Sequence, residues 1–100
     1  MNLYLSCMIV SFQCKATRDL FHRKKSKTIP PSIQGAALRK LWMIDAAHEV
    51  QDLKIPPGNR LEKLKNDRAG QYSVRINDQW RICFKWHNNH AHDVEIVDYH

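Results

Sequence analysis

This chain has no CxxC pair, no long apolar run, no internal repeat and no low-complexity segment, and each absence closes off a class of protein. The three cysteines, Cys7, Cys14 and Cys83, are odd in number and widely spaced, so they suggest neither a disulfide framework nor a zinc site. Such usage fits a reducing cytosol, and we expect a cytoplasmic protein. No stretch approaches the roughly 18 apolar residues of a membrane span. Met1 to Cys7 (MNLYLSC) lacks a basic start, a long apolar core and a cleavage site, so it does not read as a signal peptide. Acidic residues are also scarce: 10 Asp and Glu against 16 Lys and Arg leave a net charge of +6. Polyanions are the natural partners. RNA, DNA, a ribosome surface and a neutralising acidic protein all fit, as does a simply solvated basic face.

A length of 100 residues supports one core. We expect a single domain over residues 8–100, preceded by an extension or alternative start over residues 1–7. The most informative stretch is Gln71 to Trp86, QYSVRINDQWRICFKW. Tyr72, Val74 and Ile76 alternate with Ser73 and Arg75, and Trp80, Ile82, Phe84 and Trp86 alternate with Arg81, Cys83, Lys85 and His87. This is the period of two half-buried strands. With Asn77-Asp78-Gln79 as the loop, the hairpin register pairs Ile76 with Trp80, Arg75 with Arg81 and Val74 with Ile82. Two guanidiniums then lie across the ladder from one another on the face opposite the apolar one. Like charges directly opposed are destabilising, which points to an anion held over them. The same register also lets both arginines splay into solvent.

Before the hairpin, Met8 to Phe12 (MIVSF) reads as a short strand. Lys15 to Lys25 reads as a helix with Leu20 and Phe21 inward. Ser32 reads as the N-cap of a second helix, on which Ile33, Ala36, Ala37, Leu41 and Ile44 share a face. Asp45 to Lys54 is helical or turn-like with Val50 and Leu53 buried, until Pro56-Pro57-Gly58 stops it. Arg60 to Leu64 is a short strand, residues 65–70 form a polar loop, and Asp93 to Asp98 is the last strand. This order, β-α-α-β-β-β-β, predicts an α+β fold: a mostly antiparallel curled sheet with both helices on one face.

PPGNRLEKLKNDRAGQYSVRINDQWRICF, together with the terminal EIVDYH, resembles the HigB branch of the RelE superfamily of bacterial toxins across nearly all of Met8 to His100. The resemblance implies a toxin that enters the ribosomal A site and cuts messenger RNA during translation. It also implies a HigA-type helix-turn-helix antitoxin, with operator DNA bound only through that partner, and no membrane association. The family's basic residues fall on Lys65, Arg68 and Arg81, and its C-terminal cluster on Asp98, Tyr99 and His100. Glu62 stands where well-known members carry a histidine, which opens the identity of the general base.

Cleaving RNA without a metal or cofactor requires a group to take the 2′-hydroxyl proton, positive charge on the pentacoordinate phosphate and a proton donor for the leaving 5′-oxygen. Arg81 and Arg75 are the candidates for the charge, and Lys65 and Arg68 for holding the flanking backbone. His100 is the candidate acid or base, Tyr99 a stacking or orienting group and Glu62 a weaker candidate base, with pairing to Arg60 or Lys63 as its bland alternative. His87, His90 and His92 flank Asn88-Asn89 and read as a solvated hairpin turn rather than a metal site. Trp80 and Trp86 read as core. Competing with cleavage are a non-catalytic toxin of the same fold that blocks a target such as gyrase by binding, and a translation-independent RNA-binding protein.

Overall fold

A computed structural model describes residues 9–99. Two helices, α1 (Lys15–Phe21) and α2 (Pro31–Ala46), precede four strands: β1 (Glu62–Lys63), β2 (Gln71–Arg75), β3 (Trp80–His87) and β4 (His90–Asp98). The strands form one antiparallel sheet in the order β1-β2-β3-β4. The α+β fold read from the sequence is therefore borne out. Ile33, Ala37, Leu41 and Ile44 of α2 and Leu20 of α1 pack with Val74, Ile82, Phe84, Ala91 and Val94 in one core. Each Val, Leu, Ile or Phe side chain among them contributes about 1.5–3 kcal/mol by leaving water. Both helices thus cover the apolar face of the sheet, and Trp80 and Trp86 pack partly buried against the same core.

The hairpin forms in the expected register, with Val74 opposite Ile82 and Arg75 opposite Arg81. Its tip is closed by Asn77, whose Oδ1 accepts hydrogen bonds from the backbone of Gln79 and Trp80, both at 2.8 Å. The side chain takes two backbone donors that the tight loop would otherwise strand.

The first strand is a correction: within the described part of Met8 to Phe12, only isolated parallel bridges join Ile9 to Ala91 and Phe12 to Val94. The reason lies in β4, which carries an extra residue where Cys83 pairs with Glu95 but Lys85 with His92. Asp93 there takes φ 52°, and its N–H turns to Ser11 Oγ at 2.9 Å, breaking the regular ladder.

Other boundaries also shift. Helix α1 stops four residues short of Lys25, because Arg23 adopts φ 63° and the N–H groups of Arg23 and Lys24 return to the carbonyls of Leu20 and Asp19. This is a Schellman end built without glycine. Helix α2 begins at Pro31 with Pro30 as its cap, so Ser32 lies inside the first turn rather than capping it. Proline there gives up an N–H that has no helical partner in any case. Val50 and Leu53 are buried in a short 3₁₀ turn, Val50–Lys54. Strand β1 is shorter than Arg60 to Leu64, because Arg60 sits at φ 45° and cannot continue a strand. Strand β4 starts at His90, three residues early, because Asn88 and Asn89 at φ 52° and 63° make the whole turn. No helix among the described residues is long and apolar enough to cross a membrane.

Candidate active site

The second face of the sheet carries Ser73 and Arg75 from β2, Arg81 and Cys83 from β3, and Glu95 from β4, by strand alternation. Ser73 and Cys83 are 0% exposed, although both helices lie on the other side. Arg81 bonds Ser73 there, and Arg68 bonds Glu95, the ladder partner of Cys83. Burial pushes the Cys83 thiol above its usual value, with Arg68 opposing, Glu95 adding and Arg81 opposing the shift. The thiol is therefore held protonated and is no nucleophile.

Arg81 is the centre of this arrangement. Its side chain is only 12% exposed, and the guanidinium is fixed from three sides. Nε donates to Ser73 Oγ at 2.8 Å, and Nη2 donates to the Arg60 carbonyl at 2.7 Å. Nη2 also lies 3.7 Å from Glu62 Oε1. The Arg60 carbonyl reaches Arg81 from a left-handed residue at φ 45°, a conformation that costs an arginine about 1–2 kcal/mol. Next to it, Asn59 is 0% exposed, accepts a hydrogen bond from Lys40 Nζ and donates to the Leu53 carbonyl at 3.1 Å. The turn that presents Arg60 is thereby tied to helix α2 and to the 3₁₀ turn. Nη1 of Arg81 has no partner among the described residues and is available to an anion.

The chain end is drawn to the same place. Tyr99 N–H donates to the Gln79 carbonyl at 2.6 Å, and the Gln79 amide donates to both Asp98 carboxylate oxygens at 3.2 Å. These contacts fasten the end of β4 to the hairpin tip. Tyr99 is left 36% exposed, and the Arg81 Cζ lies 5.7 Å from its ring centroid. Arg81, Glu62 and Tyr99, named separately from the sequence, therefore meet, with Asp98 holding the scaffold. His100 lies outside the described residues.

Arg75 and Arg81 oppose one another on the ladder, but their guanidiniums serve different partners. Arg75 bonds Asp78 at the hairpin tip, whereas Arg81 is held by Ser73, Arg60 and Glu62. Glu62 pairs with Arg81 rather than with Arg60 or Lys63. Arg68 Nη1 donates to Gln71 Oε1 at 3.1 Å and to Glu95 Oε1 at 3.4 Å. Lys65 is exposed, and its ammonium has no partner among the described residues. The sequence reading missed Ser73, the Arg60 carbonyl and Gln79. Ser73 was visible only as a small polar residue on the arginine face of β2, and a backbone carbonyl leaves no sequence signal. Among the described residues no group of three or more His, Cys, Asp or Glu side chains is placed to hold a metal.

This constellation can bind one anionic group, place a carboxylate beside it and offer an aromatic face. Comparison with known proteins gives it a context. A family profile described as the RelE-like toxin of the type II toxin-antitoxin system HigB matches residues 10–100. Toxin HigB-1 of Vibrio cholerae is 48% identical over 63 residues, spanning 63% of this chain and 66%, just under two thirds, of that protein. Endoribonuclease HigB of Proteus vulgaris is 32% identical over 93 residues, spanning 93% of this chain and 100% of that protein. An uncharacterized protein of Haemophilus influenzae is 38% identical over 68 residues, 68% of this chain and 67% of that protein. With a family match over nearly the whole chain and a relative aligned along its full length, the chain belongs to the HigB-like toxins of type II toxin-antitoxin systems.

Proposed function

We propose that this toxin is an endoribonuclease that cuts messenger RNA in the ribosomal A site by attack of a ribose 2′-oxygen on the adjacent phosphate. The bond formed is O2′–P and the bond broken is P–O5′. The products carry a 2′,3′-cyclic phosphate and a free 5′-hydroxyl, with one proton moved from the 2′-oxygen to the 5′-oxygen.

The observation that carries this reading is the preorganised Arg81. A charged side chain removed from water and locked by three acceptors has one terminal nitrogen without a partner among the described residues, so it needs no reorganisation when a phosphorane develops charge. We assign the acceptance of the 2′-hydroxyl proton to Glu62, which is 58% exposed and beside that guanidinium. To Tyr99, whose ring lies beside Arg81, we assign stacking on an unpaired base. We assign the leaving-group proton to His100, and backbone positioning to Lys65, Arg68 and Arg75. The name of the Proteus vulgaris relative, an endoribonuclease, supports the same activity.

Membership of a type II system implies an antitoxin partner. We take that partner to be a helix-turn-helix protein of the HigA type that also carries operator contacts, and residues 8–100 to be the toxin domain acting in the cytoplasm. The test is to add the purified chain to translating ribosomes and map the message ends. Cut messages with 5′-hydroxyl ends are expected. Intact messages with stalled growth would remove the reading, and a small partner encoded beside the gene should copurify.

A further inference from the structure

The turn that presents the Arg60 carbonyl to Arg81 is anchored through Asn59. Residues 54–58 and Arg60 itself are exposed, and Asn59 alone among residues 54–63 is buried. A buried amide must find partners for its oxygen and its hydrogens. Asn59 Nδ2 donates to the Leu53 carbonyl at 3.1 Å and reaches the Ile55 carbonyl at 3.5 Å, which ties the turn to its own backbone. Oδ1 accepts instead from Lys40 Nζ, 19 residues away on helix α2. The N–H groups of Asn59 and Arg60 donate to the Pro56 and Pro57 carbonyls, both at 3.0 Å, so the backbone is fixed through both residues.

Two features of this arrangement are unfavourable when taken alone. Arg60 holds φ 45° and ψ 55°, yet its own side chain is exposed and has no partner among the described residues. What the conformation supplies is the direction of the carbonyl, which accepts from Arg81 Nη2 at 2.7 Å. Lys40 is partly buried near Arg39 and Arg75, and burial first, then those two positive charges, pushes its ammonium below the usual lysine range. An apolar side chain would suit such a helix position better. What the lysine supplies there is the donor to Asn59.

We propose that Lys40 and Asn59 are positioning residues for cleavage: holding the turn from helix α2, they aim the Arg60 carbonyl, and through it the Arg81 guanidinium, at the phosphate to be cut. The proposal rests on the ribonuclease reading and deepens it, because it extends the determinants of rate from the exposed sheet face to the helical layer behind it. Neither side chain touches RNA in this scheme.

The experiment compares the wild-type chain with Lys40→Met, Lys40→Gln and Arg39→Met. Initial rates of message cutting are measured over a range of programmed-ribosome concentrations. The Arg81 Nε–H resonance of each toxin is followed by NMR, assigned by its loss in Arg81→Ala. Methionine keeps the apolar stem of Lys40 and deletes the donor, and glutamine keeps a donor on a stem one bond shorter. Both should lower kcat on the order of 10-fold with KM unchanged, and both should move the Arg81 resonance while core amide resonances stay in place. Arg39→Met removes the adjacent exposed cation and should keep the parental rate and resonance. A parental kcat in folded Lys40→Met, or in Lys40→Gln should the methionine variant not fold, overturns the proposal and leaves the ribonuclease standing. So does a raised KM at constant kcat, which would mark Lys40 as an RNA contact, and so does an unmoved Arg81 resonance. An equal fall in Arg39→Met would trace the effect to charge alone and overturn it too. No cutting by the wild type overturns both readings.

Discussion

The two faces of the sheet are equally dry at their centres, yet they are dried by opposite means. On one, Val74, Ile82 and Phe84 are sealed by the apolar stripes of α1 and α2. On the other, Ser73 and Cys83 are as deeply buried among polar neighbours, with Arg81 bonded to the serine and Arg68 bonded to Glu95, the ladder partner of Cys83. The first kind of burial is irreversible short of unfolding, because the cover is the core itself. The second leaves the cover chemically available, because an arginine held by a hydroxyl, a carbonyl and one exposed carboxylate keeps its charge and, among the described residues, a terminal nitrogen without a partner. Burial is thus the measure of stability on one face and of preorganisation on the other.

If that distinction holds, substitutions on the two faces must separate in what they damage. The largest effect expected is on chemistry: deleting His100 should slow cleavage by about 10²–10⁴-fold if it is the proton donor. An unchanged rate would mark it as a bystander. Arg81→Ala should lower kcat by roughly 10²–10³-fold and relieve toxicity. Its melting temperature should stay within a few degrees of the parent, and full activity in that variant would contradict the site. Phe84→Ala, one step along the same strand from Cys83 but facing the helices, should do the reverse. It should cost about 3–5 kcal/mol in chemical denaturation while each molecule still folded cuts at the parental rate. A selective loss of kcat there, at intact stability, would erase the division between faces.

Smaller effects sharpen the comparison. Ser73→Ala removes the acceptor that holds Arg81 Nε, a charge-assisted bond worth about 1.5–3 kcal/mol. We expect kcat to fall about tenfold with KM little changed and Ser73→Thr to restore most of it; equal falls in the Thr and Ala variants would show that only packing matters there. The smallest effect concerns Cys83. Its pKa is raised by burial above the ordinary 9.0, so the folded state keeps a proton that the unfolded state loses. The stabilisation this gives is complete below pH 9.0 and lost as pH rises through the higher folded value. Denaturation midpoints followed upward from pH 9.0 should therefore drop more steeply for the parent than for Cys83→Ala. Parallel curves would show the thiol to be more accessible than its surroundings imply.

How much of this was legible beforehand depends on the range of the interaction. The hairpin could be read to the residue, because period-two alternation and Asn77-Asp78-Gln79 turn chemistry act over a few neighbours. The buried stripe of α2 was legible for the same reason. The end of α1 was not, since Arg23 performs a role that usually announces itself as glycine. Nor was the loss of the first strand, which turns on Ser11 capturing the backbone of Asp93 across 82 residues. In the site, Arg81, Glu62 and Tyr99 carried chemical signals as charge, carboxylate and terminal aromatic. Ser73 and the Arg60 carbonyl carried none, because what matters about them is where a neighbouring strand and a left-handed turn place them.

The sequence by itself determined the α+β order, the basic character, the cross-strand opposition of Arg75 and Arg81 and the resemblance to the HigB toxins, all of which follow from local patterns of side-chain type. Only the tertiary structure decided that the two arginines serve different partners, with Arg75 turned to Asp78 and Arg81 gripped by Ser73, Arg60 and Glu62. The physical reason is that a guanidinium goes to whichever acceptors surround it. Those acceptors are assembled from β1, β2 and the turn ahead of them, segments whose proximity the fold creates.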